Sequence, residues 1–504
     1  MLAVARTFAL IGIEAEPVHV ELNVAPGLPA FAVVGLPDAA VRESRERVRA
    51  ALVNSDFEFP LKRITANLAP ADLPKVGPGF DLGIAAALMA ATGKLHGPAL
   101  ERFALAGELA LDGTIRPVPG ALAMAERARA WGMRGIAVAP GDAEQAALVD
   151  GIEVVSIDHI KRLQDLSADE IEAVTVAPAP GGNGSRERLP DLSDLRGQPS
   201  LVRALEITAA GGHSLMVIGP PGSGKTLAAR RLPSLLPPLG REEALEVTRI
   251  AGACGERIDS PLDAPRPFRS PHHTISSAAL VGGGSPPRPG EVTRAHRGVL
   301  FLDELGEFRR DALEALRQPM EEGRVTVSRA ARSIRLPCRF ALVAASNPCP
   351  CGHGADSGEC GCHPTAVARY QTKLSGALAD RIDLSLPVQR PSAEALDGAP
   401  ATTSADAREK VLAARERQHR RLGAGRCNAE MSPAELRRQA RMDDSARRTL
   451  SDGHERLGLS GRGWDRVARV ARTIADLAGA DRVTDREVAE ALNLRRRIED
   501  EPGA

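Results

Sequence analysis

The stretch that most constrains this chain is Gly219-Pro220-Pro221-Gly222-Ser223-Gly224-Lys225-Thr226. An apolar run at 214–218 precedes it, and a helical pattern at 227–232 follows it. A buried strand, a glycine-rich loop and a helix, in this order, form the context that a phosphate-binding loop requires. Backbone N–H groups and the helix N-terminus would attract a polyphosphate, Lys225 would reach its β- and γ-phosphates, and the Thr226 hydroxyl would bind Mg²⁺. The sequence therefore predicts a nucleoside triphosphate site.

Polar side chains follow two later apolar strands. Asp303 and Glu304 come directly after the run at 299–302, and Asn347 follows the run at 340–346. In nucleotide hydrolases of this kind, the first carboxylate holds Mg²⁺ through water and the second polarises the attacking water. A polar residue at the carboxyl end of a neighbouring parallel strand lies at the crevice where ligands bind. The predicted site is therefore equipped for hydrolysis as well as binding.

The length of the chain predicts several domains. Its 504 residues are enough for about three domains with separate cores. We expect an α+β unit at 1–176, a Pro/Gly-rich linker at 177–190, a nucleotide-binding core at 191–390 and a helical unit at 391–504.

Local patterns predict individual elements in the first and last units. In the first unit they predict a strand at 18–24, helices at 38–54, 82–92 and 121–131, and a hairpin at 104–115 that turns at Asp112-Gly113. In the last unit they predict helices at 405–421, 432–440, 444–453, 464–478 and 484–494.

The composition of the chain limits the kinds of partner that we expect it to bind. Lys+Arg and Asp+Glu both total 65, so any nucleic-acid site must be a local basic patch. Apolar runs such as 82–91 are too short to span a bilayer, which predicts no membrane association. The seven cysteines are an odd number and are clustered rather than spread along the chain. Together with the absence of a cleavage pattern at the N-terminus, this predicts a cytoplasmic protein.

Four of the cysteines crowd into one short segment, Cys349, Cys351, Cys360 and Cys362. Two thiol pairs could supply four soft ligands to one structural Zn²⁺, although each pair is spaced more tightly than the usual two to four residues. His353 or His363 could replace one cysteine each. A reduced loop without metal and a redox-sensitive loop remain alternatives.

A basic hairpin follows the carboxylate motif. The stretch at 323–335 alternates like two short strands around a tip that carries Arg329 and Arg332, with Arg335 beyond it. Such a tip suits contact with a DNA phosphate backbone, and an ordinary solvated hairpin is the alternative. Because only 3% of residues are aromatic, base stacking is disfavoured as the mode of binding.

The motifs together resemble one protein family. They are the loop at 219–226, Leu302-Asp-Glu-Leu305, Ser346-Asn-Pro-Cys349, Asp380-Arg-Ile-Asp-Leu384 and Gly461-Arg-Gly463. The chain resembles the magnesium-chelatase-like branch of the AAA+ ATPases, and most closely the ComM-type competence proteins. This resemblance implies a P-loop AAA+ core of parallel sheet flanked by helices, a helical lid, and a hexameric ring with ATP at each subunit interface. It also implies ATP-driven branch migration of DNA during integration of incoming strands in natural transformation, with single-stranded and branched DNA as partners.

The resemblance also assigns roles to residues. It matches Asp303 and Glu304 to the metal-binding and catalytic carboxylates and Asn347 to the first sensor. Arg381 matches the finger offered to a neighbouring subunit's ATP, and Arg462 matches the second sensor, in a lid that folds over the nucleotide.

Each arginine also has a plainer interpretation. Arg381 could form a surface salt bridge with Asp380 or Asp383, and Arg462 could be a solvated helix charge.

The first unit resembles the catalytic domain of Lon proteases, with its ribosomal-S5-like fold, through residues 75–83, 107–109 and 117–120. Lon-type proteases use a serine–lysine pair. Gly79 stands where the serine is expected, and Ala121 and Leu122 follow Gly120 where the lysine is expected. Without a nucleophile or a base this unit cannot hydrolyse peptides by that route, so we expect it to serve assembly or partner binding.

Two other functions fit parts of the pattern. One is a chelatase-type motor that remodels a partner protein. The first unit argues against this function, because we expect chelatase subunits to lack it. The other is a nucleotide-switched scaffold, against which we count Glu304 and Arg381, since a switch does not need both.

Overall fold

The computed structural model describes residues 1–167, 189–284, 287–329, 332–354, 359–374, 378, 381–399 and 402–495. Of the linker predicted at 177–190, only Leu189 and Pro190 fall within these ranges.

Residues 1–167 form a unit built on a seven-stranded mixed sheet. Its strand order is β3-β4-β2-β1-β5-β8-β9. The elements are β1 Leu2–Ile11, β2 Glu14–Ala25, β3 Ala30–Val34, α1 Ala39–Asn54, β4 Arg63–Ala69, α2 Asp81–Ala91, α3 Gly97–Arg102, β5 Phe103–Ala106, β6 Glu108–Leu109, β7 Ile115–Arg116, α4 Ala121–Ala130, β8 Gly135–Val138, α5 Pro140–Ala146 and β9 Glu153–Ser156.

The predicted strand at 18–24 and the three predicted helices of this unit are confirmed as β2, α1, α2 and α4. The Asp38 carboxylate caps α1 by accepting a hydrogen bond of 2.8 Å from the Val41 N–H. The hairpin predicted at 104–115 is partly wrong. Only β6 and β7 pair as a hairpin, whereas β5 joins the large sheet in parallel with β1 and β8.

The nucleotide-binding part begins after residue 190. Its elements are α6 Pro199–Gly211, β10 Leu215–Ile218, α7 Lys225–Leu235, α8 Arg241–Ala253, β11 Phe268–Arg269, α9 Ser277–Val281, β12 Gly282–Gly283, β13 Arg288–Pro289, α10 Glu291–Arg294, β14 Val299–Leu302, α11 Arg310–Ala315, α12 Arg317–Glu322, β15 Arg324–Arg329, β16 Arg332–Pro337, β17 Ala341–Ser346, α13 Pro364–Leu374, β18 Leu384–Pro387 and α14 Ala393–Asp397.

A parallel five-stranded sheet, in the order β11-β14-β17-β10-β18, organises this part. Its central strands β14, β17 and β10 are almost entirely apolar and buried because both faces of the sheet are covered. Along β10, Leu215 and Val217 face one apolar core while Met216 and Ile218 face another. This is a mixed α/β architecture with apolar cores on both sides of a parallel sheet, consistent with the P-loop AAA+ core that the resemblance implies.

The remaining residues form helices, namely α15 Ser404–Leu422, α16 Pro433–Gln439, α17 Asp444–Leu457, α18 Gly461–Leu477 and α19 Asp485–Asn493. All five correspond to predicted helices, but α18 begins three residues earlier than predicted because the Ser460 hydroxyl caps it at Gly463 N–H, 3.1 Å away. Residues such as Val411 and Ala471 share one apolar core with Leu205 and Leu232 of the sheet-bearing part.

The first unit contacts the nucleotide-binding part directly. Ile13, in the turn between β1 and β2, is 5% exposed and belongs to the same apolar core as Val327 and Leu336 of the β15–β16 hairpin. Arg249 of α8 forms an ion pair of 2.6 Å with Glu126 of α4. None of the helices among the described residues is both long and apolar enough to cross a membrane.

Candidate functional site

The predicted phosphate loop connects β10 to α7 at the carboxyl edge of the parallel sheet. Gly222 and Gly224 have φ values of 80° and 87°, a backbone conformation that residues other than glycine rarely adopt. A Cβ added to Gly219 would lie 2.3 Å from the Val388 carbonyl oxygen. The loop therefore needs glycine at these positions to follow this tight backbone path.

Lys225 is the first residue of α7 and is 9% exposed. Its ammonium donates to the carbonyl oxygens of Gly219 at 2.6 Å and Pro220 at 2.9 Å, and to Asn347 Oδ1 at 3.3 Å. Desolvation lowers the pKa of Lys225, and the charge of Asp303 opposes that shift. A buried ammonium held over the loop is the group that a phosphate anion would attract most strongly.

Thr226 and Asp303 form the second contact of the site. The Thr226 hydroxyl donates to Asp303 Oδ2 at 2.8 Å, and the Glu304 N–H donates to Asp303 Oδ1 at 3.0 Å. A hydroxyl and a carboxylate in contact are hard oxygen ligands of the kind that Mg²⁺ prefers. The chain folds so that β10 and β14 both lie next to β17, which brings their carboxyl ends together.

Glu304 has an unusual backbone conformation. Its φ of 53° lies in the left-handed region, which is uncommon for a residue with a side chain and recurs at functional sites. Its side chain is 54% exposed, and Oε2 lies 3.4 Å from His273 Nδ1. The carboxylate is thus accessible at the edge of the loop and adjacent to Asp303.

The sequence-predicted residues are brought together as two hydrogen-bonded pairs that start from consecutive residues of α7, Lys225 with Asn347 and Thr226 with Asp303. Glu304 lies beside Asp303. Asn347 reaches Lys225 because Ser346, the last residue of β17, pairs with Ile218 and accepts a hydrogen bond of 3.1 Å from the Gly219 N–H.

Arg381 lies at the opposite edge of the sheet. Ser214, at the amino end of β10, donates through its hydroxyl to the Arg381 carbonyl oxygen at 3.1 Å. A four-residue strand separates the two edges by about 13 Å. The Arg381 guanidinium forms an ion pair of 2.6 Å with Glu321, not with Asp383, and Asp380 lies outside the described residues.

Arg462 lies beside Arg381. Its Nη1 is 3.5 Å from the same Glu321 Oε1 that pairs with Arg381. Arg462 lies in the first turn of α18, which packs against α6 and α15, and α15 also contacts α7. The role of Arg462 as a second sensor in a lid stays a prediction.

A cavity of about 650 Å³ opens between the sheet's amino edge and the helical part. Both charges line it. The arginines are Arg266, Arg297, Arg339, Arg381, Arg415, Arg462, Arg466 and Arg469, and the carboxylates are Glu243, Glu321, Glu322, Asp383, Glu430 and Asp465. Many of these charges are paired with each other, as Arg381 and Arg462 are with Glu321.

The four clustered cysteines come together. The Sγ atoms of Cys349, Cys351, Cys360 and Cys362 lie within 4.8 Å of one another and could hold a metal ion. The alternative histidine ligands have other partners, because His353 pairs with Glu359 and His363 Nδ1 lies 2.8 Å from the Thr365 hydroxyl.

The basic stretch forms the hairpin that the sequence predicts, with β15 and β16 paired from Arg324–Pro337 to Arg329–Arg332. The side chains of Arg329 and Arg332 lie outside the described residues, while Arg335 is exposed on β16.

Three residues at these sites escaped prediction, namely Glu321, Gln198 and Arg390. Gln198 Nε2 donates to the Ser223 carbonyl at 3.2 Å, and Arg390 Nε donates to the Pro221 carbonyl at 2.7 Å. Neither these two nor Glu321 stands at a fixed spacing from a motif, so no pattern in the sequence singles them out.

Comparisons with known proteins agree with this geometry. A family model described as magnesium chelatase, subunit ChlI, matches residues 191–396, and its C-terminal counterpart matches 401–495. Competence protein ComM of Haemophilus influenzae is 41% identical over 512 residues, which cover 98% of this chain and 97% of the relative. This chain belongs to the ComM-type, magnesium-chelatase-like family.

Other members of the family share the whole chain or part of it. An uncharacterized protein, YifB, of Escherichia coli is 44% identical over 98% of this chain and 97% of its own length. The magnesium-chelatase 38 kDa subunit of Rhodobacter capsulatus is 30% identical over 34% of this chain and 53% of its own.

A model described as subunit ChlI of Mg-chelatase also matches residues 20–142. The expectation that chelatase subunits lack the first unit stays a prediction.

Proposed function

We propose that this chain is the subunit of an ATP-driven DNA motor, a branch-migration helicase that promotes integration of incoming DNA during natural transformation or recombination. The observation that carries the ATPase part is the pairing of Lys225 with Asn347 and of Thr226 with Asp303 at the carboxyl edge of the sheet. Full-length similarity to a competence protein supports the DNA part.

The residues present fit ATP and Mg²⁺. Glycines at positive φ shape the loop, Lys225 offers a buried ammonium, and Thr226 with Asp303 offers oxygen ligands. Bound ATP would supply the phosphoanhydride bond that is cleaved. The chain would hold its phosphates at the loop, hold Mg²⁺ at Thr226 and Asp303, and orient a water with Glu304 and Asn347.

We further propose a homo-hexameric ring in the cytoplasm, in which Arg381 and Arg462 serve the ATP bound by a neighbouring subunit. Both arginines lie at the sheet edge opposite their own loop and line the same cavity. In this arrangement Glu321 orients both guanidinium groups before a neighbour's phosphates compete for them.

The trans role of Arg381 predicts a specific pattern of complementation. Arg381→Ala is expected to reduce ATP turnover by about 10³-fold or more, because an arginine finger stabilises charge in the transition state. Mixing Arg381→Ala subunits with Lys225→Ala subunits should restore part of the turnover, since some interfaces then combine an intact loop with an intact Arg381. Steady-state ATPase assays of the mixtures measure this. Near-normal turnover by Arg381→Ala alone would contradict the assignment.

For DNA, we propose that the β15–β16 hairpin contributes Arg329, Arg332 and Arg335 to backbone contacts with single-stranded and branched DNA. The exposed position of Arg335 on a paired hairpin supports this.

We propose the remaining architecture as follows. Residues 1–176 are a Lon-protease-like, ribosomal-S5-like domain, which Gly79 and Ala121 leave without a serine–lysine pair. Residues 177–190 are a linker, 191–390 the AAA+ core with the cysteine-rich insert at 349–363, and 391–504 the helical lid domain. The insert binds a structural Zn²⁺ through its four cysteines.

The test of the proposed function is conversion of a labelled four-way DNA junction in the presence of ATP and Mg²⁺. Wild type should move the branch, and Lys225→Ala should not. If wild type hydrolyses ATP but never moves a junction, the alternative is a chelatase-type motor that remodels a protein partner, which the chelatase-named family matches along the chain favour.

A further inference from the structure

We infer that the cysteine cluster is a metal site that sets the positions of Asn347 and Glu304, so that turnover of ATP depends on its metal. The part of this inference that concerns hydrolysis rests on the proposed ATPase function. The metal site itself does not.

The first half of the cluster continues directly from the end of β17. Cys349 comes two residues after Asn347 and is 1% exposed. The Gly354 N–H donates to Cys349 Sγ at 3.3 Å, a contact that stabilises a thiolate ligand. Gly352 packs on the phosphate loop so closely that an added Cβ would lie 3.1 Å from Pro221 Cδ and 3.8 Å from Asn347 Nδ2. The metal-ligand turn therefore packs against the loop and lies close to the Asn347 side chain.

The second half of the cluster leads into α13, which begins two residues after Cys362. Tyr370 of α13 is 8% exposed, and its hydroxyl lies 3.2 Å from the Ser346 hydroxyl. A Cβ added to Gly306 would lie 2.4 Å from the Tyr370 ring, so the two are in direct contact. Gly306 is two residues from Glu304. The cluster thus joins the segment after β17, which carries Asn347, to the helix that supports the turn carrying Glu304.

Thiols alone would hold this connection weakly, because S–H groups are poor hydrogen-bond donors. Four thiolates on one ion, in contrast, close the loop between the two halves and supply binding free energy to the folded state. A shell of four protein ligands leaves no position for a reacting water, so the ion would act through position and not through chemistry. Small displacements of groups that orient a nucleophile lower the rate of the chemical step strongly.

The experiment compares wild type with the double variant Cys351→Ser plus Cys362→Ser. Cys254→Ser is the matched control, since Cys254 lies outside the cluster at the end of α8. The measurements are zinc content by elemental analysis, affinity for a non-hydrolysable ATP analogue, and kcat without DNA. We expect one zinc per chain in wild type and in the control. We expect none in the double variant, with kcat lowered about 10- to 100-fold and analogue affinity nearly unchanged.

Removal of the metal from wild type by a chelator, followed by addition of Zn²⁺, covers the case in which the double variant does not fold. Hydrogen exchange at residues 303–307 and 347–354 should rise on chelation and fall again on addition of metal. This readout does not depend on hydrolysis or on DNA. It therefore separates failure of the metal site from failure of the proposed function.

Several outcomes would overturn the inference. The inference fails if wild type purified under reducing conditions contains no metal and takes up none. Mass analysis could find a disulfide among the four cysteines. The metal-free protein could also keep its kcat and its exchange pattern. If instead exchange responds to metal but metal-loaded wild type hydrolyses no ATP, the positioning role stands and the ATPase proposal fails.

Discussion

Lys225→Ala is expected to lose ATP hydrolysis entirely and to bind ATP about 10- to 100-fold more weakly. The substitution removes a buried ammonium that lies over the loop, and a charge-assisted hydrogen bond to phosphate contributes about 1.5–3 kcal/mol. The measurements are steady-state phosphate release and titration with a fluorescent ATP analogue, with circular dichroism to confirm that the variant is folded.

Arg230→Ala is the matched control for that variant, because Arg230 is an exposed cation on the same helix. It should hydrolyse ATP like wild type. Turnover by Lys225→Ala at more than a few per cent of the wild-type rate would mean that nucleotide is bound elsewhere in the chain.

Glu304→Gln is expected to keep ATP affinity while losing about 10²- to 10⁴-fold in kcat. The amide fills the same space but cannot take a proton from water, which is the contribution expected of a general base. The Glu304 carboxylate is exposed and takes no part in the Thr226–Asp303 hydrogen bond, so the substitution should leave that contact intact. Native mass spectrometry should therefore find ATP retained by the variant after incubation times that exhaust it in wild type.

Glu307→Gln provides the comparison for Glu304→Gln. It makes the same chemical change three residues further along, at another exposed carboxylate. Its kcat should equal that of wild type. Preserved turnover in Glu304→Gln would remove Glu304 from its proposed role and would favour a nucleotide switch over a motor.

The site at the carboxyl edge could be predicted from sequence because local patterns determine it. Apolar runs mark the strands, and parallel strands carry the residues that follow them to a common edge. Once 215–218, 299–302 and 341–346 are strands of one parallel sheet, Lys225, Asp303 and Asn347 must lie close together.

The arrangement at the opposite edge could not be predicted in the same way. The contact of Arg381 and Arg462 with Glu321 depends on how α18 docks, which no hydrophobic period encodes. The contact of Ile13 with the distant β15–β16 hairpin is another case, since an apolar residue in a turn gives no sign of its partner. The hairpin predicted at 104–115 was partly wrong because Phe103–Ala106 is a continuous apolar run. Such a run does not indicate whether the strand pairs with its neighbour in sequence or, as here, with the distant β1.

The claim that the chain is a DNA motor is tested most directly by its ATPase rate with and without a four-way DNA junction, measured across a series of salt concentrations. We predict that the junction raises kcat, that the effect fades steeply as salt increases because phosphate contacts release counterions, and that Lys225→Ala shows no activity under any condition. ATP turnover that depends on Lys225 but is indifferent to every DNA at every salt concentration would contradict the claim and would favour remodelling of a protein partner.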